Sequence, residues 1–170
     1  ANTVVFKGDV IEGYNTDHQA AVDSLMSAYR GVGSTGLAGK TTLILGAGGA
    51  AKAVAYGLKQ LGADVVIASR TFERAQVLAD QFQCRAMDWE ERHQVDPQVV
   101  VNATPVGMHP NMDESPFERR YLKRSTIVFD TVYNPERTLL IKEALNEGCR
   151  VVTGVEMFVR QAALQYRLFT

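Results

Sequence analysis

An apolar run, Thr41-Thr42-Leu43-Ile44-Leu45, passes directly into Gly46-Ala47-Gly48-Gly49-Ala50-Ala51 and then into a helix-like stretch ending near Leu61. Glycines in the pattern GxGxx(G/A), placed between a strand and a helix, demand a tight turn and a slim loop. Gly46 permits the turn, Gly48 removes a side chain from above the helix N-terminus, Gly49 keeps the loop slim, and small Ala51 lets the helix pack on the strand. The free N–H groups and dipole of such a helix suit an anion, so Gly46, Ala47, Gly48, Gly49 and Ala50 are candidates to hold a dinucleotide pyrophosphate. A second reading, in which these glycines serve only helix–strand packing, stays open at this point.

The rest of the chain keeps the same alternation. Strands are expected at 41–45, 64–68, 84–87, 99–102, 126–130 and 151–152, and helices at 50–61, 72–82, 137–147 and 156–169. Strands separated by crossover helices form a parallel sheet, so the expected fold is α/β, a Rossmann-like doubly wound sheet with ligands at the carboxyl ends of its strands. Ahead of it, residues 2–14 read as a hairpin turning at Lys7-Gly8-Asp9. Thr16 and Gln19 read as a capping box for a helix up to Gly31. Gly31 to Lys40 holds four glycines (Gly31, Gly33, Gly36, Gly39) and forms a connector. This divides the chain into residues 1–31, a hairpin and helix belonging to a substrate domain, and 40–170, the dinucleotide domain.

Composition excludes several classes. With 170 residues, 46% hydrophobic and 22% charged, the chain can bury a core of one domain or one domain plus a piece of another. A net charge of −1 without basic runs points away from nucleic acid and anionic membranes. Apolar runs stay far below the ~20 residues of a bilayer span. Cys84 and Cys149 lack CxxC or Cys/His ligand spacing and are expected as buried reduced thiols, with no metal. His18, His93 and His109 form no triad, and no GxSxG, HExxH or Walker lysine occurs.

The second strand of the unit discriminates between dinucleotides. An NAD site places an acid there, about 20 residues after the glycines, for the ribose hydroxyls. Here the strand ends in Ser69-Arg70-Thr71, with Arg74 one turn on. Guanidinium and hydroxyl groups suit a dianionic 2′-phosphate, which favours NADP. The competing reading treats Arg70 as a solvated charge and Thr71 as a helix cap. Thr104, Pro105 and Val106, in the loop after strand 99–102, lie at the same sheet edge and by position line the nicotinamide side, unless the loop is only a turn. Tyr133 follows the next strand. Asp17 reads alone as a first-turn acid favouring the helix dipole, and Gln161 as a satisfied residue beside Met157 and Leu164.

Taken together, Asn2-Thr3, Gly13-Tyr14-Asn15-Thr16-Asp17, the glycine loop, Ser69-Arg70-Thr71, Asn102 to Met108 and Gly154 to Ala162 resemble the shikimate dehydrogenase family. The resemblance spans essentially the whole chain, and Asn111 to Pro116 resembles the branch fused to 3-dehydroquinate dehydratase. It implies reversible NADP-dependent reduction of 3-dehydroshikimate to shikimate. Asp17 matches an aspartate that binds substrate hydroxyls and belongs to a lysine–aspartate catalytic pair. Asn2, Tyr133 and Gln161 match substrate-binding residues, and Thr131, Gly154 and Met157 positions at the cofactor. A lysine ammonium protonates the carbonyl oxygen as hydride arrives, and the carboxylate keeps it charged.

The departures carry weight too. The family's catalytic lysine and serine-rich carboxylate site lie in an amino-terminal domain that this chain does not match. Lys7, beyond the family's lysine position, does not inherit the role. The chain is therefore expected to bind NADP but to turn over poorly without a substrate domain of the same polypeptide. Ser69 stands where the family often has asparagine. A cytoplasmic location is expected, with an organelle as the alternative if a transit peptide was removed. Quinate dehydrogenase, or a non-catalytic NADP-binding module, are the alternative functions.

Overall fold

The computed structural model describes residues 1–29 and 36–170. Gly31 and Gly33 of the connector lie outside the described residues. The elements are β1 (Thr3–Lys7), β2 (Val10–Tyr14), α1 (Thr16–Tyr29), β3 (Thr41–Leu45), α2 (Gly49–Gln60), β4 (Asp64–Ser69) and α3 (Phe72–Phe82). They continue with β5 (Arg85–Asp88), a 3-10 turn Trp89–Gln94, β6 (Val99–Asn102), a 3-10 turn Arg119–Tyr121, β7 (Ile127–Asp130), α4 (Leu139–Asn146), β8 (Arg150–Val152) and α5 (Gly154–Phe169). The fold is α/β: β1 and β2 pair as an antiparallel hairpin, and the other six strands form a parallel sheet in the order β5-β4-β3-β6-β7-β8. Strand order reverses between β3 and β6, and a crevice opens at the carboxyl ends of strands at such a point.

The strands read as continuous apolar runs because both sheet faces are covered. Alternate residues sort onto the two faces. Ile44, Ile67, Val101 and Phe129 join one cluster with Val54 and Leu58 of α2 and Ala79 of α3. Leu43, Leu45, Val66 and Val128 join the other with Phe117, Leu140 and Ile141. Ala20, Ala21 and Leu25 of α1 belong to the first cluster, so the helix ahead of the connector shares the sheet's core. The residues between β6 and β7 contain a 3-10 turn and no α-helix.

Several helix starts differ from expectation, each for a hydrogen-bonding reason. Thr16 and Gln19 form no capping box. The Asp17 N–H donates to Asn15 Oδ1 at 3.1 Å, Gln19 donates to Asp23 at 2.9 Å, and buried Thr16 turns inward. A capping box does form at α5, where Thr153 Oγ1 accepts from the Glu156 N–H and Glu156 reaches back to the Thr153 N–H, so α5 starts at Gly154 rather than 156. Thr138 accepts from the Ile141 N–H at 3.2 Å and starts α4 at Leu139 rather than 137. Thr71 holds the N-cap position of α3 without a side-chain cap bond. Both cysteines are free, but Cys84 is half-buried rather than buried.

Candidate active site

The glycine loop joins β3 to α2 at the carboxyl edge of the sheet. Gly46 has φ +109°, and a Cβ there would sit 2.7 Å from the Ala103 carbonyl oxygen, so backbone geometry and the approach of the β6 loop both require glycine. Gly48 and Gly49 are different: a Cβ at either would meet no protein atom within 4 Å. Protein packing therefore explains Gly46 but not Gly48 or Gly49, which leaves free space over the helix start. The first N–H closed within α2 is that of Lys52, donating to the Gly48 carbonyl at 2.9 Å, and no side chain caps the helix. The N–H groups of Gly49, Ala50 and Ala51 are thus the orphan donors that an anion satisfies.

On one side of this loop a cavity of about 200 Å³ is lined by Gly46, Ala47, Gly48, Ser69, Arg70, Thr71, Arg74, Trp89, Ala103, Thr104 and Pro105. Among the described residues no carboxylate forms a salt bridge with Arg70 or Arg74. Two unneutralised guanidiniums beside two hydroxyls and a helix N-terminus make an anion pocket with a charge to spare for a phosphate. On the other side a cavity of about 350 Å³ is lined by Asn2, Asp17, Ala50, Thr131, Tyr133, Gly154, Met157, Phe158, Gln161 and Gln165. Cavities lined by Gly48, Gly49 and Lys52 and by Gly49, Lys52, Asn2 and Asp17 lie between, each sharing lining residues with its neighbours.

At the second end, side chains distant in sequence converge. Asn2 accepts the Thr16 N–H at 2.9 Å and donates to Thr16 Oγ1 at 2.9 Å, tying the hairpin to the start of α1. Thr16 Oγ1 lies 3.4 Å from Gln161 Oε1 on α5, and Gln165 donates to Thr3 Oγ1 at 3.0 Å. Asn2 is thus engaged structurally as well as lining the cavity. Among the described residues the Asp17 carboxylate and the Gln161 carboxamide N–H groups carry no protein hydrogen bond, so both are free for a ligand. Tyr133 is exposed and stacks on Phe158 with ring centroids 5.4 Å apart. Gly154 lets α5 approach: a Cβ there would lie 2.3 Å from the Val132 carbonyl oxygen.

Beneath the cavities lies a buried polar network. Asn102 and Asp130, the last residues of β6 and β7, are fully buried. Asn102 Nδ2 donates to Asp130 Oδ1 at 3.0 Å and to the Val106 carbonyl at 3.1 Å, while its Oδ1 accepts from Thr104 N–H and Oγ1. Asp130 also accepts from the Val132 N–H at 2.9 Å and the Thr138 hydroxyl at 2.6 Å. Burial pushes the Asp130 carboxyl up to about 6, against the pull of these donors. Val106 lines neither end cavity; it closes this loop, its N–H donating to Thr104 Oγ1.

Sequence reasoning missed Thr16, Phe158, Gln165, Trp89 and the Asn102–Asp130–Thr138 network. Two signals were readable: a polar residue ends each of two apolar strands, and Thr153-Gly154-Val155-Glu156 has capping-box spacing ahead of a helix with an apolar face. Lys7 is held at 2.8 Å by Glu12 in the hairpin. Among the described residues no group of three His, Cys, Asp or Glu converges as a metal site, and no helix is long and apolar enough to cross a membrane.

The family model described as "Shikimate / quinate 5-dehydrogenase" matches residues 30–131. The chain is 44% identical to the chloroplastic bifunctional 3-dehydroquinate dehydratase/shikimate dehydrogenase of Arabidopsis thaliana, over 93% of this chain and 28% of that protein. The shikimate 5-dehydrogenase of Thermus thermophilus, solved with NADP(H) and shikimate, superposes with a TM-score of 0.84 at 34% identity, over 98% of this chain and 60% of that one. Quinate dehydrogenase from Corynebacterium glutamicum, solved with NAD, superposes with a TM-score of 0.87 at 31% identity, over 98% of this chain and 61% of that one. The chain thus spans less than two thirds of the length of each relative it matches here. On the glycine loop, the sheet order and these matches, the chain belongs to the shikimate / quinate 5-dehydrogenase family.

Proposed function

We propose that the chain is the cofactor-binding portion of an NADP-dependent shikimate dehydrogenase, which reduces 3-dehydroshikimate to shikimate reversibly. The observation that carries this reading is the pair of cavities flanking the uncapped start of α2, one lined by Ser69, Arg70, Thr71 and Arg74, the other by Asp17, Tyr133 and Gln161. The first suits an adenosine 2′-phosphate, the N–H groups of residues 49–51 the pyrophosphate, and Thr131, Gly154 and Met157 the nicotinamide end. The dinucleotide, when bound, supplies or takes the hydride at the ring carbonyl carbon.

In the second cavity the Asp17 carboxylate accepts a hydrogen bond from a substrate hydroxyl and holds a lysine ammonium charged and oriented. That lysine comes from a further domain of the polypeptide. The hairpin supports such a domain, because Phe6 (72% exposed) and Ile11 (67%) present apolar surface that it would cover. Gln161 donates its free N–H groups to the substrate, and the Tyr133–Phe158 stack walls the site from solvent.

The quinate-oxidising reading is kept by the likeness to the quinate dehydrogenase solved with NAD. The lack of an acid among Ser69-Arg70-Thr71 favours NADP over NAD. The proposed compartment is the cytoplasm, where two free thiols stay reduced; the Arabidopsis relative is named chloroplastic. Calorimetric titration of the chain with NADP and NAD tests the function. Binding of NADP at least about tenfold tighter than NAD is expected. Absence of heat with either nucleotide would overturn the reading.

A further inference from the structure

Among the described residues Trp89 is the one aromatic residue lining the Arg70 cavity, and it is the single tryptophan of the chain. It directly follows β5, the strand beside β4, and so stands next to the Ser69-Arg70-Thr71 turn at the same sheet edge. The indole is half-buried, so part of the ring stays open to the cavity. The Arg92 guanidinium sits 4.4 Å from its ring centroid, and the partly buried ring packs against the apolar cluster that includes Phe117 and Leu140. Arg92 is itself anchored, donating to the Trp89 carbonyl at 2.6 Å and the Pro116 carbonyl at 2.9 Å.

An aromatic ring fixed in this way loses little side-chain freedom when a flat ligand packs on it. The NADP reading, on which this inference rests, puts a 2′-phosphate among Arg70, Arg74 and the two hydroxyls. The base is attached to the same ribose as that phosphate, so it must lie within a few ångströms of it. We propose that Trp89 is the aromatic wall against which the adenine base packs, with Arg92 as the positioning residue that orients the indole. A role for Trp89 confined to packing the 3-10 turn is the alternative that the test separates.

Trp89 emission reports on this site alone, since no other tryptophan contributes. The 170-residue chain is titrated with adenosine 2′,5′-bisphosphate, which carries adenine and the 2′-phosphate, and with nicotinamide mononucleotide, which carries neither adenine nor a 2′-phosphate. In parallel, calorimetry follows NADP and the bisphosphate in wild type, Trp89→Ala and Trp89→Phe. The bisphosphate is expected to quench the emission and the mononucleotide to leave it unchanged. Trp89→Ala should weaken the bisphosphate about tenfold or more, the range of a lost base–aromatic stack, and Trp89→Phe should keep most of the affinity. NADP binding with unquenched emission, or with equal affinity in Trp89→Ala, would overturn the wall and leave the NADP reading intact. No heat with NADP in wild type would overturn both. If Trp89→Ala fails to fold, the wild-type emission and Trp89→Phe decide.

Discussion

Asn102 and Asp130 end two neighbouring parallel strands and join side chain to side chain at 3.0 Å without any exposed surface. Through them the β6 loop, the β7 loop and the cap of α4 form one unit. Burial holds the Asp130 carboxyl at about 6 in the folded chain, above the 3.8 of an unperturbed aspartate. The folded state therefore binds the proton more tightly than the unfolded state, and stability falls as pH rises from about 4 to about 6. Roughly 2 pH units at 1.36 kcal/mol each amount to about 3 kcal/mol. Asp130→Asn removes this titration, so the stability difference between wild type and variant should change by about 3 kcal/mol between pH 4 and pH 7 in urea unfolding. A difference constant across that window would refute the assignment.

Gly48 and Gly154 should respond in opposite ways to alanine. Gly48 has φ −92° and no protein atom near its missing side chain, so Gly48→Ala should change unfolding free energy by less than ~0.5 kcal/mol. Its NADP affinity should nevertheless drop about tenfold, because the methyl enters the space over the helix start. Unchanged NADP affinity would return the loop to a packing role.

At Gly154 the methyl would meet backbone, not open space. With the Val132 carbonyl 2.3 Å from the added Cβ, α5 must move, at a cost of about 3 kcal/mol. Thermal unfolding of Gly154→Ala should show a lowered Tm, and a wild-type Tm would contradict the close approach.

Arg70→Ala should cost NADP about 1.5–3 kcal/mol, or one to two decades of affinity, and cost NAD little. Calorimetry with both nucleotides checks this. Equal losses for the two would place Arg70 away from the 2′-phosphate.

On the proposal that the lysine partner of Asp17 comes from a further domain, the purified 170-residue chain should bind NADP yet oxidise shikimate slowly or not at all; Lys7 is paired with Glu12 in the hairpin. Adding the amino-terminal domain of a relative should restore turnover, and Asp17→Asn in that complex should lower kcat by about 10²-fold or more. Robust oxidation by the chain alone would overturn this division of labour.

The strand–glycine–helix unit was legible in the sequence because its causes are local: β-branched and apolar runs, a required positive φ at Gly46 and a helix starting beside it. The parallel sheet followed from strands spaced by helices, and the placement of Ser69-Arg70-Thr71 beside the glycine loop from its position at the end of the next strand. What local chemistry could not settle was partner choice. Thr16 reads as a cap, yet Asn2 and Gln161, 14 and 145 residues away, draw its hydroxyl inward while Asn15 caps the helix. The burial of Asp130, the clamp of Arg92 on Trp89 and the convergence of Asp17 with Gln161 depend on contacts between elements far apart in the chain. Sequence by itself determined which elements form, because helix and strand preferences act over a few residues. Only the tertiary structure decided which polar groups are buried, paired or left free for a ligand, because desolvation and hydrogen bonding depend on what packs around them.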